Sequence, residues 1–442
     1  MKSFKIGKSS FLRVDKANPC PICQKPDWCF VDTKLTKAYC CRNFDSDRPT
    51  FAGATVYELS GSTMKNVEIC EVSQENIAPT NVLHKVYSLV ITLFGLTDIH
   101  VSKLMFARGF TVDQMFLRGY TSFTKETLKK QIKMIQEIDG KPVGKTIWED
   151  LFEENGLPRD AWKGVPGFWY SEANQTPIFE PSTKGIFIPN RNEWGQIIGG
   201  QIRVDESEMK YIAKVNSAWA NKAKVIIKNV DRNKYQYSIY TFPDYELLAE
   251  GVTDKKRLTF ENGLSFTIKS SAKYVWLSTS YKEHGCGAKN VPHYAFPDSV
   301  LAQAKFDEQG KARVHVLSKC QNVIVTEGLL KGDIIATKIP ESRLNKLGST
   351  LVISMAGVNS WKQVANALET KTKFDTVFLA FDSDFQENDA VFNNLEKMIE
   401  YLHKKGGRTI KVLTWEVGKG LDDFLLSKES LNQKITAHLF YS

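Results

Sequence analysis

The sequence has no long hydrophobic run. Its longest apolar stretch near the start, Val86 to Leu96, is broken and shorter than the roughly 20 residues a membrane helix needs. No charged segment leading into an apolar one opens the chain, so no secretory signal is expected. These absences exclude a membrane protein and predict a cytoplasmic one. Cysteine is sparse: eight in 442 residues cannot make a disulfide scaffold. There is no internal repeat and no low-complexity linker. None of the seven histidines is placed to suggest a triad with a serine. The stretch "GKPVGKT", Gly140 to Thr146, is one residue short of phosphate-loop spacing. A helix rather than a strand is expected before it, so it is not read as a nucleotide cradle. No helicase motor is predicted elsewhere.

What is present is ordinary in amount. Charged residues make up 25% and hydrophobic residues 42%, a globular balance. The chain is long enough for two to four domains. A net charge of +9 is compatible with an acidic partner such as nucleic acid.

The cysteines are concentrated. Five of the eight lie between Cys20 and Cys41, in "NPCPICQKPDWCFVDTKLTKAYCCRN". Cys20 and Cys23, two residues apart, suit a tight knuckle on one tetrahedral metal. Cys29 and Cys40 complete a four-thiolate zinc ribbon, with Cys41 the competitor for the fourth place. Such a closed site is structural. Arg42, Arg48, Trp28 and Phe30 beside it suit phosphate and base contacts, or the aromatics simply cover the ribbon's small core.

Four domains are expected: a ribbon over 1–60, a helical connector over 82–160, a mixed α+β basic subdomain over 161–320, and a C-terminal α/β domain over 321–442. In "VLHKVYSLVITLF", Val82, Val86, Leu89, Val90 and Leu93 share a helical face. Thr111 and Gln114 are spaced as a capping box. Residues 210–272 read as a polar, mobile insertion. From 321, the apolar runs "NVIVT", "TLVISM", "TVFLAF" and "TIKVLTW" alternate with helical segments, which predicts a parallel sheet covered on both faces.

In such a sheet, ligand sites lie beyond the strands' carboxyl ends. Three acidic groups fall there: Glu327 after the first run, Asp382 and Asp384 after the third, and Asp422-Asp423 after the last. Residues two apart on an extended segment point the same way, so Asp382 and Asp384 can face one ion. Hard oxygen ligands suit Mg²⁺ or Mn²⁺. Taken singly, an aspartate at a strand–helix junction is more often a helix cap than a ligand. Gly328 allows close approach of a phosphate.

Residues 321–426 resemble a Toprim domain, whose signature is a glutamate after the first strand and a D-x-D after a later one. Glu327, Asp382 and Asp384 match it. A cysteine ribbon followed by Toprim is the layout of bacterial primases. "GIFIPNRNEWGQIIGGQIR" resembles the primase hairpin that ends in a basic residue, here Arg203, and "KYVWLSTS" its Lys-Tyr element, giving Lys273. "LRGY" and "GVPGF" look like the connector of plasmid- and phage-type primase-like proteins. Three departures from the replicative pattern are plain. Lys331 stands where those enzymes carry a further acid, Ser383 separates the two aspartates, and Asp422-Asp423 are adjacent. All three fit the divergent plasmid and phage group.

The resemblance implies a DNA primase that makes short RNA primers on single-stranded DNA from nucleoside triphosphates. Structural Zn²⁺ would sit at the cysteines and catalytic Mg²⁺ or Mn²⁺ at Glu327, Asp382, Asp384 and Asp422. Arg203, Lys273 and Lys331 would bind template or nucleotide phosphates. Any replicative helicase would be a separate chain. The alternatives are a Toprim-type nuclease and a non-catalytic single-stranded-DNA-binding replication protein. A topoisomerase is disfavoured, because no tyrosine-bearing domain is evident. His284, Cys286 and His293 are read as turn residues rather than as a second metal site.

Overall fold

A computed structural model describes the chain except residues 1, 7–8, 15–17, 23–28, 41–49, 52–53, 60–75, 139–140, 232–233, 242–244, 281, 289, 372–373, 375, 384–388, 407, 428–434 and 442. The chain divides into two units. One holds residues 1–73, 206–273 and 281–283, and the other holds 74–205, 274–280 and 284–442. Among the described residues, no single helix is long and apolar enough to cross a membrane.

The first unit contains an antiparallel sheet in the order Lys2–Ile6, Ser9–Arg13, Phe30–Asp32, Lys37–Cys40, Ala54–Glu58, Thr50–Phe51. Its aromatic residues pack on one another. Phe30 stacks on Tyr39 at 4.8 Å between ring centroids, and Phe11 meets both edge-on. Phe30 is therefore core, as the simpler of its two expected roles has it. Trp28, Arg42 and Arg48 lie outside the described residues. The insertion, expected to be a polar excursion, is built largely of strands. Its segments form two three-stranded antiparallel sheets around buried Tyr235, Ile239, Leu264, Phe266 and Ile268. The polar reading came from the outward half of each strand, since alternation places every second side chain in water.

In the second unit, α1 (Thr80–Phe94), α2 (Asp98–Arg108) and α3 (Val112–Arg118) lead into β1 (Thr121–Phe123). The capping box is as expected. The Gln114 backbone N–H donates to Thr111 Oγ1 at 3.3 Å, and the Thr111 N–H to Gln114 Oε1 at 2.9 Å. The stretch read as helical also holds strands. β1 pairs with β2 (Gly185–Arg191), which pairs with β3 (Ile197–Val204), which pairs with β4 (Tyr274–Trp276). Residues Ile132–Ile138 and Lys141–Thr146 form a hairpin. The strand Ile132–Ile138, not a helix, precedes "GKPVGKT", and its residues Lys141–Thr146 are themselves extended and paired, so they make no phosphate loop.

The second sheet of this unit runs β5 (His293–Ala295), β7 (Thr350–Met355), β6 (Asn322–Glu327), β8 (Thr376–Ala380), β9 (Thr409–Thr414), β10 (Thr436–Tyr441). β6 to β9 are parallel, and β5 and β10 are antiparallel edges. Between them lie α4 (Leu329–Lys338), α5 (Trp361–Lys371), α6 (Asp389–Gly406) and α7 (Leu421–Leu426). The two-residue period splits each apolar run between two cores. Val323, Val325, Ile353 and Leu379 pack with Val364, Leu368, Met398 and Leu402 from α5 and α6. Ile324, Val352, Phe378 and Ala380 pack with Ile335, Ala336 and Phe424 from α4 and α7. The connection leaving β6 runs to one side, and the next returns past it to β8. The strand order therefore reverses at β6 and β8, where open α/β sheets bind ligands.

Candidate active site

Glu327 ends β6 and Asp382 lies just past β8, on the two sides of that reversal. The register places Thr326 opposite Ala380, and Thr326 Oγ1 donates to the Ala380 carbonyl at 2.8 Å. Gly328 adopts φ +89° to turn the chain from β6 into α4, a conformation that favours glycine. One turn into α4, the Lys331 ammonium donates to Asp382 Oδ1. Lys419 Nζ lies 3.6 Å from Asp382 Oδ2. The Ser383 N–H donates to the Lys419 carbonyl at 2.8 Å, tying the Asp382 loop to the "GKG" turn before α7.

The adjacent aspartates have separate jobs. Asp423, 46% exposed in its side chain, accepts the Gly420 N–H at 3.4 Å and caps α7. Asp422 is 1% exposed, and its Oδ1 has no hydrogen-bond partner among the described residues. A Cβ added to Gly420 would lie 2.2 Å from Asp422 Oδ1, 3.2 Å from Asp382 Oδ1 and 3.3 Å from Lys331 Nζ. All three groups converge on the space this glycine leaves open. Glu327 Oε1 would lie 3.9 Å from a Cβ on Gly357, and its charge is felt at Lys331. Burial disfavours the Lys331 ammonium, but its bond to Asp382 and the fields of Asp382, Asp422 and Glu327 outweigh that and raise its pKa. Burial likewise pushes the Asp422 carboxyl above its ordinary range, while Lys331 pulls it back.

A buried carboxylate oxygen with no donor, facing space kept clear only because Gly420 has no Cβ, fits a cation. The donors are carboxylate oxygens, which suit Mg²⁺ or Mn²⁺. The carboxylates do not close up by themselves. Among the described residues, no three carboxylates have oxygens mutually within 4.8 Å. Asp384 lies outside the described residues. The sequence reading missed Arg108, whose Nη1 lies 3.9 Å from Asp422 Oδ2 and 4.0 Å from Asp423 Oδ1. No local pattern marks it, since it comes from α2, far from these loops in the chain.

Asp333, two residues beyond Lys331, belongs elsewhere. It faces away from the site and is buried against Arg118, Tyr120 and His293. His293 also accepts the Arg191 backbone N–H at 3.0 Å on Nδ1, so its Nε2 carries the proton towards Asp333. His284 pairs with Glu172 at 3.3 Å, and Cys286 Sγ donates to the Gly287 carbonyl. The three do not gather as ligands. A serine–histidine–aspartate chain does occur: His100 Nδ1 lies 2.7 Å from Ser122 Oγ and Nε2 3.0 Å from Asp205. Ser122 is fully buried, so this chain joins α2, β1 and β3 and meets no substrate. Arg203 is half-buried on β3, opposite Tyr274 and Ile186, and no described residue links it to the carboxylates. Lys273 belongs to the first unit, where it is exposed.

In the first unit, Cys20, Cys29 and Cys40 are buried, with sulfurs mutually within 4.8 Å. Cys29 and Cys40 are 3.8 Å apart, too far for a disulfide. It is the spacing of two sulfurs on a tetrahedral ion with Zn–S bonds of about 2.3 Å. The cluster could hold zinc. Cys23 and Cys41 lie outside the described residues.

The larger sheet, with acidic groups at the carboxyl ends of its parallel strands, defines an α/β domain of the class that binds ligands at a reversal of strand order. Residues 316–431, from just before β6 to just past α7, match the family model described as "Domain of unknown function (DUF3854)". No curated protein matches the sequence. Among solved structures, the chain is similar to the DnaG catalytic core at 9% identity and a TM-score of 0.37, over 79% of this chain and 77% of that one. A DnaG primase catalytic domain bound to single-stranded DNA matches at 11% identity and 0.34, over 78% and 76%. The primase fragment of the bacteriophage T7 primase-helicase protein matches at 12% and 0.27, over 93% of each.

Proposed function

We propose that this protein is a DNA primase that makes short RNA primers on single-stranded DNA during replication of a plasmid, phage or other mobile element. The observation that carries this reading is the convergence of Asp382, Asp422 and Lys331 on the space beside Gly420, with Asp422 Oδ1 buried and unpaired. The cysteine cluster favours primase over nuclease, because a ribbon gives the site a second hold on template. Glu327, Asp382 and Asp422 hold the metal, together with Asp384 on the sequence pattern. A divalent ion bound there would neutralise the triphosphate and orient the primer 3′-hydroxyl for in-line attack on the α-phosphorus, with pyrophosphate leaving. Lys419, largely exposed beside Asp382, meets nucleotide phosphates. Arg203 and Lys273 bind phosphates of nucleotide or template. Single-stranded DNA lies on the zinc ribbon.

Purified protein with single-stranded DNA, ribonucleotides and Mg²⁺ should yield short RNA. Cleavage of DNA without added nucleotides would identify a nuclease instead. No product on any template with either Mg²⁺ or Mn²⁺ would overturn the primase reading.

A further inference from the structure

Among the described residues, Lys331 is the cation next to the space beside Gly420, whereas Arg108 lies against the other oxygen of Asp422, at 3.9 Å. The Lys331 Nζ lies where a Cβ of Gly420 would contact it at 3.3 Å, beside both Asp382 Oδ1 and the unpaired Asp422 Oδ1. It binds the same Asp382 oxygen that borders the open space. Lys419 also pairs with Asp382, but with the other oxygen and from solvent. An ion at Asp422 Oδ1 therefore meets an ammonium already in place, and two cations this close repel strongly in a half-buried pocket.

We propose that Lys331 is an internal competitor for the divalent ion. Its ammonium holds Asp382 until the ion arrives, and the ion displaces it. Once displaced, the ammonium is free for the phosphate that accompanies the ion. The inference rests on reading these carboxylates as a metal site, not on the reaction they serve.

The test is Mn²⁺ binding to the full chain, purified without chelator, followed by electron paramagnetic resonance in the absence of nucleotide and DNA. Lys331→Gln should bind Mn²⁺ at least about tenfold more tightly than wild type, the scale set by one charge within 4–6 Å. Lys331→Arg, which keeps the charge, should bind no more tightly than wild type. Asp382→Asn should bind more weakly. If Lys331→Gln binds no more tightly while Asp382→Asn weakens binding, the competitor role is wrong and the metal site stands. If Asp382→Asn leaves binding unchanged, the metal-site reading falls and the competitor role with it. Thermal unfolding of each variant identifies any that fails to fold. Should Lys331→Gln fail, Lys331→Met replaces it, with the same expected tightening and the same overturning result.

Discussion

Arg118 and Asp333 form a fully buried ion pair, 2.5 Å between Nη1 and Oδ1, that joins α3 to α4. Around it, the Tyr120 hydroxyl donates to Asp333 Oδ2 at 2.7 Å, and Arg118 Nη2 donates to Asp298 Oδ1 at 2.6 Å. Every charged atom has a partner, which is what makes such a network tolerable inside a protein. It sets the position of α4, and with it Lys331. Removing one partner leaves the other charge buried and unpaired. Arg118→Met should therefore lower stability by about 3–5 kcal/mol, measured by urea unfolding.

Acid should unfold this unit early. Burial would raise the Asp333 carboxyl, but Arg118, His293 and Tyr120 hold it at about 2, against 3.8 when unfolded. Its contribution is present above pH 3.8 and lost as pH falls towards 2. His84 adds to this from higher pH. Burial, with Arg191 nearby, lowers its imidazole from 6.5 to about 3. The unfolded chain thus takes up that proton first, and stability falls as pH drops from 6.5. Urea midpoints should decline from pH 6.5 downwards. His84→Asn, whose amide oxygen can accept the Ile197 N–H that Nδ1 now takes, should flatten the decline above pH 4.

The open space beside Gly420 should be indispensable. In Gly420→Ala, the new methyl would sit 2.2 Å from Asp422 Oδ1, closer than any real contact. Metal binding should be lost, along with about 1–3 kcal/mol of stability. Manganese titration and thermal unfolding read the two effects separately.

Asp382→Asn should reduce primer synthesis by about 10²–10³-fold, the range for losing one electrostatic group of a transition state. Affinity for single-stranded DNA should stay within about twofold, because phosphate binding rests on other residues. Undiminished RNA yield from this variant would take Asp382 out of the catalytic centre. Gel assays of product and filter binding of template read the two effects separately.

The cysteines should carry one zinc per chain. Cys29→Ser and Cys40→Ser should each lose it, as metal analysis would show, and should open the ribbon to protease, because a closed thiolate site supplies folding energy.

Much of the larger sheet was legible in the chain. Runs of five or six apolar residues mark its buried strands, and the intervening periodicity marks α4 and α6 closely. The hairpin Ile132–Ile138 with Lys141–Thr146 was not legible, nor was β1 within a helical stretch. β1 is three residues long, and it exists because β2 offers it an edge. The insertion was misread because half of a two-sided strand looks like a polar loop.

Sequence alone determined which residue types stand at the strand ends: Glu327, Asp382, the Asp422-Asp423 pair, and the cysteines spaced for one ion. That follows from local rules, since strand period and ligand spacing are properties of short segments. Only the tertiary structure decided what each one does. It turned Asp422 inward and left Asp423 as a cap. It sent Asp333 to Arg118, and it laid the Lys331 ammonium on Asp382, 51 residues away in the chain. Those choices depend on burial and on partners from other elements, and no window of sequence holds both members of such a pair.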